Sequence, residues 1–273
     1  MKLESLDDAD DPRLADYREV KEPVWLRERG RFLAEGRVVI AALLASERFR
    51  ARSLLVTQTG LDALAPELAA ADAELPVYRV ERSLMDRLAG VRFHQGCVAA
   101  AQLGEPLSLQ RVAVASARHL LLLESVSDPD NVGTSFRNAL AFGVDGVLLG
   151  PGCAPPLYRK ALRTSMGAGL RVPFASADDW PAALSWLRES GFQLLALTPA
   201  PDAVELASVR LAPRVALLLG NEGHGLSEAA QALADVRVRI SMSDRADSVN
   251  VSAAGAIAMH HVYDSLHAQP RTS

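Results

Sequence analysis

Hydrophobic and polar positions follow two alternating patterns along the chain. Continuous apolar runs, such as HLLLLESV at 119–126 and RVALLLG at 214–220, are typical of strands buried on both faces of a parallel sheet. Between these runs, apolar residues recur three and four positions apart, which predicts helices. Strands are predicted at 52–58, 75–80, 97–102, 119–126, 146–150, 192–198, 214–220 and 236–242. Helices are predicted within 17–52 and at 61–71, 83–90, 132–142, 156–168, 180–189 and 253–267.

This alternation of strands and helices indicates an α/β fold in two parts. We expect 1–16 to be an acidic, disordered lead, 17–104 a small α/β domain, 105–117 a linker and 118–268 a larger domain with a parallel sheet. The length of 273 residues is sufficient for two domains of ordinary size. With 49% hydrophobic and 23% charged residues, the composition is that of a globular protein.

The charge is distributed unevenly, and this changes what the net charge of −4 implies. A negative total disfavours nucleic-acid binding when it is taken alone. However, 17–52 hold nine cations against five anions, and 158–171 hold four cations and no acidic residue. Most of these cations are Arg, whose guanidinium group suits bidentate contacts with phosphate. The two basic segments are therefore compatible with RNA binding.

Several classes of protein are disfavoured by the sequence. No apolar run reaches the roughly 18 residues of a membrane span, and the acidic N-terminus lacks the apolar region of a secretory signal. We therefore expect a cytoplasmic protein without a membrane partner. Cys97 and Cys153 form no CxxC pair and are expected to be reduced thiols. The six His residues have no metal-ligand spacing, so no metal site is expected.

Three polar segments follow predicted strands, at the edge where ligands bind in open α/β sheets. The first, 124–143, places Arg137 in the first turns of a helix, where a cation opposes the macrodipole and suggests a nearby anion. The second, 217–226, runs into three glycines whose backbone groups can hold a flat ligand. The third, 239–263, leads through a polar loop into a helix that begins with small residues. Each segment alone is also explained by an ordinary cap or turn.

Taken together, the three segments resemble the motifs of the SpoU/TrmH class of SPOUT RNA methyltransferases. The first motif is similar to Asp128-Pro129-Asp130-Asn131-Val132-Gly133, then Arg137 and Ala141-Phe142-Gly143. The second is similar to Gly220-Asn221-Glu222-Gly223-His224-Gly225-Leu226. The third is similar to Ile240-Ser241-Met242, then Ser248-Val249-Asn250-Val251-Ser252. A connecting segment is similar to Thr164-Ser165-Met166-Gly167-Ala168. Ser241 and Val249 replace the usual Pro and Leu.

The resemblance covers 118–268 and implies a deep trefoil knot, formed by the last two loops and the C-terminal helix. It also implies a homodimer through this C-terminal domain. The small domain 17–104 resembles the RNA substrate-binding domain that is fused upstream in this class, on the segments 29–44 and 92–96.

The activity implied by the resemblance is S-adenosylmethionine-dependent methylation of a ribose 2′-hydroxyl in structured RNA, with ribosomal RNA favoured over transfer RNA. The implied cofactor-binding residues are Thr198, Leu219, Gly220, Asn221, Gly223, Ile240, Met242, Val249 and Asn250. The implied catalytic residues are Arg137, Asn131, Glu222, Ser248 and Asn250. The class assigns a base role to Arg137, but arginine stays charged, so we expect it to anchor a phosphate and stabilise the developing alkoxide.

Three other functions stay open at this point. A non-catalytic RNA-binding or assembly factor could keep the same fold, although all the implied functional side chains are present. A nucleotide-binding dehydrogenase is disfavoured because no GxGxxG follows the first strand of the larger domain. Methylation of a base is disfavoured because the motifs resemble those of the ribose-modifying branch.

Overall fold

The computed structural model describes residues 1–18, 29–89, 95–221, 223–243 and 245–267. The chain divides into two compact units, one formed by Met1–Glu105 with Pro156–Arg171 and the other by Pro106–Pro155 with Val172–Ser273. The segment 156–171, which the sequence assigns to the larger domain, thus packs within the first unit. Among the described residues, no helix combines the length and apolar character that a membrane span requires.

The first unit contains a five-stranded sheet within the described residues. Its strands are β1 Lys2–Ser5, β2 Arg31–Glu35, β3 Arg50–Val56, β4 Pro76–Arg79 and β5 Cys97–Gln102, in the order β1-β4-β3-β5-β2. Its helices are α1 Arg37–Leu44, α2 Gln58–Ala63, α3 Ala65–Ala69, α4 Arg82–Ala89 and, later in the chain, α7 Arg159–Thr164. Short 3₁₀ turns are formed by Pro12–Tyr17 and Ala168–Leu170.

The second unit is built on a seven-stranded sheet in which neighbouring strands pair in parallel. Its strands are β6 His119–Leu123, β7 Gly146–Leu149, β8 Phe174–Ser176, β9 Gln193–Leu197, β10 Val204–Glu205, β11 Val215–Leu219 and β12 Val236–Arg239. Its helices are α5 Leu109–Val112, α6 Pro129–Ala141, α8 Trp180–Glu189, α9 Glu228–Leu233 and α10 Val251–His267, with a 3₁₀ turn at Leu206–Ser208. The strand order is β10-β12-β9-β11-β6-β7-β8.

The parallel sheet confirms the α/β class predicted for the second half. Every residue of β6 and of β11 is buried, as expected for strands covered on both faces. Because β12, β9, β11 and β6 are neighbours and run in the same direction, the loops that follow them meet at one edge. This carboxyl edge is where the three motif segments lie.

The prediction of a disordered acidic lead at 1–16 is wrong. Lys2–Ser5 pairs with β4, and the 3₁₀ turn after it buries Leu14 and Tyr17 completely. The Tyr17 hydroxyl shares a hydrogen bond of 2.6 Å with Ser53 Oγ. The acidic composition of this segment predicts disorder, but Leu14 and Tyr17 bury enough apolar surface to order it.

The helical interpretation of 17–52 is also wrong in part. Arg31–Glu35 is a strand antiparallel to β5, and it is followed by a helix at Arg37–Leu44. Four consecutive residues of β2 are buried, and such short apolar runs do not distinguish a strand from a helix by periodicity.

Candidate functional site

The sequence-predicted cofactor residues lie at or beyond the ends of neighbouring parallel strands in the second unit. Thr198 directly follows β9, Leu219 ends β11, and Ile240 directly follows β12. Thr198 continues the ladder by donating its backbone N–H to Val238 O at 2.9 Å. The structure therefore brings the second and third motifs to one edge, where α/β sheets bind their ligands.

The loop after β11 is folded by its own hydrogen bonds. Asn221 and Gly225 exchange backbone bonds of 2.9 and 3.2 Å, and Asn221 Oδ1 accepts the N–H groups of Gly223 and His224 at 2.8 and 3.1 Å. At Gly220, a Cβ atom would lie 2.4 Å from the Gly225 carbonyl carbon. Only glycine permits this close approach of two backbone segments, so the loop is held in one conformation.

A buried carboxylate that sequence reasoning missed holds this loop against β6. Glu124 accepts the Ser227 backbone N–H at 2.9 Å and the Ser227 hydroxyl at 2.7 Å. Its own N–H donates to Leu219 O at 2.9 Å, so Glu124 connects both ends of the loop. Asn221 Nδ2 adds a bond of 2.9 Å to the carbonyl of Ser125, whose φ is +57°. The sequence signal for this role is a single acidic residue, Glu124, directly after an apolar strand.

The first and third motifs meet through two asparagines. Asn250 Nδ2 donates to Asn131 Oδ1 at 2.9 Å, while Asn250 Oδ1 accepts the N–H groups of Ser252 and Ala253 at 2.9 and 3.3 Å and caps α10. Asn138 Nδ2 donates to Ser252 O at 3.0 Å. One asparagine thus both starts the helix and joins it to α6.

Arg137 is exposed on α6 and makes no hydrogen bond or ion pair with any residue that the structure describes. The expectation that Arg137 lies in the first turns of the helix and opposes the helix macrodipole is wrong. The helix begins at Pro129 with Asp128 as its cap, so Arg137 lies beyond the first turn, where the dipole effect has faded. Its availability to an anion rests instead on its exposure and lack of a partner.

The remaining predicted residues differ in exposure. Ser248 and Val249 are exposed, and Met242 and Ile240 are half-buried. Leu219 is buried beneath α10, where a Cβ at Gly255 would lie 2.6 Å from its side chain, so its backbone rather than its side chain can face a ligand. Glu222 lies outside the described residues.

The residues at this edge fit a nucleoside cofactor. The backbone groups of Ile240 and Met242 make no hydrogen bond with the residues that the structure describes, and their half-buried side chains offer an apolar wall. Cys153, nearby in the fold, donates its Sγ–H to Leu123 O at 3.2 Å, and burial raises the pKa of this thiol. In the described part of the chain, no cluster of His, Cys, Asp or Glu could hold a metal ion.

The sequence profile of the SpoU rRNA Methylase family matches residues 118–260. The chain belongs to this family, and it is an RNA methyltransferase. The family assignment agrees with the resemblance seen in the three motifs.

The similar proteins cover between 55% and 98% of the chain. An uncharacterised tRNA/rRNA methyltransferase of Mycobacterium bovis is 43% identical over 98% of this chain and 94% of its own length. The 23S rRNA (guanosine(2553)-2′-O)-methyltransferase RlmP of Bacillus subtilis is 32% identical over 55% of this chain and 59% of its own length. The crystal structure of an AdoMet-bound rRNA methyltransferase from Sinorhizobium meliloti matches with a TM-score of 0.83 at 24% identity, covering 97% of this chain and 99% of that one. This last similarity supports the fold.

Proposed function

We propose that this enzyme transfers the methyl group of S-adenosylmethionine to a ribose 2′-hydroxyl of structured RNA, ribosomal RNA in preference to transfer RNA. The observation that carries the proposal is the hydrogen bond between Asn250 and Asn131 of α6. The same helix carries Arg137, which is exposed and has no partner among the described residues. The Bacillus subtilis relative is named for 2′-O-methylation of 23S rRNA, which supports both the reaction and the preferred RNA.

The proposed cofactor site uses backbone more than side chains. Leu219, Gly220, Asn221 and Gly223 would contribute backbone groups of the preset loop, and the remaining contacts are Thr198, Ile240, Met242, Val249 and Asn250. When bound, S-adenosylmethionine supplies an electrophilic methyl group on a sulfonium. The chain's own task is then to place the hydroxyl and manage its proton.

A ribose hydroxyl is a poor nucleophile because its pKa lies far above neutrality. Arg137 is proposed to anchor the neighbouring phosphate and to stabilise the oxygen as negative charge develops on it. Asn131, Glu222, Ser248 and Asn250 are proposed to orient the ribose and Arg137. The fixed position of Asn250 at the start of α10 suits this orienting role.

The proposal includes the trefoil knot, a cytoplasmic location, the RNA-binding role of 17–104 and a homodimer through the C-terminal domain. Exposed apolar side chains on two packed helices support such an interface, because Leu140 of α6 is 37% exposed and Ile257 of α10 is 48% exposed. Sedimentation should show a dimer. A fully active monomer would contradict this part of the proposal.

The test uses radiolabelled S-adenosylmethionine and total RNA from a strain that lacks the gene. We expect label in the ribosomal RNA fraction after incubation with the purified protein. Label in transfer RNA would correct the substrate. Cofactor binding by calorimetry, without transfer to any RNA or to pre-ribosomal particles, would favour the non-catalytic RNA-binding factor.

A further inference from the structure

The turn that ends α7 differs in one residue from two other helix ends with the same hydrogen bonding. In each, the backbone N–H donates to the carbonyl five residues earlier, at Val144–Ala139, Phe192–Leu187 and Gly167–Leu162. This pattern requires a left-handed residue just before the donor. After α6 and α8 that residue is glycine, Gly143 with φ +60° and Gly191 with φ +85°, whereas after α7 it is Met166 with φ +53°.

A methionine at this position is strained without an evident gain in packing. Bulky side chains rarely adopt positive φ, and glycine would relieve the strain. Met166 is 47% exposed, so its side chain does not fill a core. Strain of this kind is kept where the surrounding structure supports a functional conformation. The exposed thioether therefore points to a contact with another molecule.

The surroundings of Met166 extend this apolar surface. A Cβ at the next residue, Gly167, would lie 3.7 Å from Val38 O and 3.4 Å from Val39 Cα, so the turn rests on the first turn of α1. Val38 is itself 47% exposed. Two exposed apolar residues thus occur where the turn after α7 meets α1 within the first unit.

An exposed arginine lies close along the chain to each of these apolar residues. Arg163 keeps 48% of its side chain exposed, and its nearest carboxylate, Glu35, is 3.8 Å away and also pairs with Arg159. Arg37, next to Val38, keeps 53% of its side chain exposed while its Nε lies 3.6 Å from Glu67 Oε1. The structure thus joins the two basic segments that are far apart in the sequence, 17–52 and 158–171, in one compact unit.

We infer that Arg37, Val38, Arg163 and Met166, the Met166 patch, bind an unpaired segment of the RNA substrate. This inference rests on the proposed function. The arginines would contact phosphates, and the apolar side chains would lie against base faces. A side chain reaches the face of a base only when that base is not stacked within a duplex, so the patch favours unpaired nucleotides.

The first test separates binding from stability in the full-length protein. Met166→Gly relieves the strained φ, so its melting temperature should equal or exceed that of the wild type, yet it should bind a fluorescein-labelled oligo(A) about fivefold more weakly. Met166→Leu should restore binding. An oligo(A)·oligo(U) duplex of equal length should be affected less than the single strand.

The second test separates the apolar and cationic parts. Arg163→Gln should reduce the slope of log binding constant against log salt by about 0.7, whereas Met166→Gly should leave the slope unchanged. Matched controls in the same unit are Leu3→Ala, 44% exposed, and Arg13→Gln, with 44% side-chain exposure. Both controls should bind oligo(A) as the wild type does.

Equal binding by the patch variants and the controls would overturn the inference. A Met166→Gly protein that sediments as a monomer while the wild type is a dimer would also overturn it, because the patch would then be a protein contact. If the wild type methylates RNA and the patch variants have a normal KM for RNA, only the inference about the Met166 patch is refuted. A wild-type protein that methylates no RNA refutes the proposed function itself.

Discussion

The two edges of the seven-stranded sheet use similar polar residues for different purposes. At the amino edge, Asp145 Oδ2 accepts the backbone N–H groups of Arg118 and His119 at 2.7 and 2.9 Å. Arg214 donates to three backbone carbonyls at 2.7 to 3.1 Å, and its guanidinium lies 4.0 Å above the Phe192 ring. These side chains complete the hydrogen bonding of the backbone where strands begin.

At the carboxyl edge, several polar groups are left open. Arg137 has no partner among the described residues, Ser248 is exposed, and the backbone of Met242 makes no hydrogen bond within that part of the chain. Glycines and short amides shape the loops there without filling them. Arginine thus stabilises the fold where its donors are satisfied, as at Arg214, and is available for chemistry where they are not, as at Arg137.

Replacement of Arg137 should have the largest effect. Arg137→Ala is expected to lower turnover at least ~100-fold, or about 3 kcal/mol, because the anion and the developing alkoxide lose their cation. The free energy of unfolding should not change, since Arg137 makes no hydrogen bond or ion pair with the described residues. Single-turnover methylation and urea unfolding measure the two quantities. Near-normal turnover would remove Arg137 from the catalytic residues.

The opposite outcome is expected at the amino edge. Arg214→Ala should lower the free energy of unfolding by about 2 kcal/mol, because three backbone carbonyls, two of them on buried or half-buried residues, lose a charged donor. The turnover of the folded fraction should stay at the wild-type level. A selective loss of turnover in this variant would mean that the two edges are not functionally separate.

His119 makes the amino edge sensitive to acid. Burial lowers its pKa to about 4, against 6.5 for an exposed His, although Asp145 and a bond to the Phe142 backbone oppose this shift. The unfolded chain binds the proton more readily, so stability is complete above pH 6.5 and falls as the pH decreases towards 4. Between about pH 7 and pH 5 the loss should be about 2 kcal/mol.

Urea unfolding at both pH values tests this expectation. His119→Leu should abolish the part of the acid sensitivity that this residue contributes. Equal losses of unfolding free energy in the wild type and in the variant on acidification would contradict this role of His119. The activity of the folded variant at neutral pH should be unchanged.

Asn250→Asp should have the smallest effect and separates the two roles of this side chain. The aspartate keeps an oxygen that caps α10 but loses the Nδ2 donor to Asn131. We expect an unchanged melting temperature and a turnover reduced about fivefold, or about 1 kcal/mol. Asn250→Ala, which loses both roles, should lower both quantities. Equal turnover for Asn250→Asp and the wild type would leave the residue a cap alone.

The sequence predicts the second unit better than the first because its strands are continuous apolar runs. In the second unit, helix 180–189 is found at the predicted residues, predicted strand 146–150 is observed at Gly146–Leu149, and the α/β class is confirmed. The ordered segment 2–17 was missed because six acidic residues surround two apolar anchors, Leu14 and Tyr17. The number of charged residues in a segment does not reveal which of its apolar side chains become buried.

The site residues were predicted by their motifs, whereas their contacts were not. The bond between Asn131 and Asn250 joins positions 119 residues apart, and Glu124 holds Ser227 across 103 residues. No local pattern encodes such pairs, since they depend on which strands become neighbours. Likewise, the strain at Met166 is visible only from its φ, because the sequence shows an ordinary residue where glycine would fit.

The most direct test of the central claim is the chemical position of the transferred methyl group. RNA labelled from radioactive S-adenosylmethionine by the wild type and by Arg137→Ala is hydrolysed with alkali, which cannot cleave beside a 2′-O-methyl ribose. We expect wild-type label in alkali-resistant dinucleotides and almost none from Arg137→Ala. Label released in mononucleotides, or equal label from both proteins, would contradict ribose methylation at this edge of the sheet.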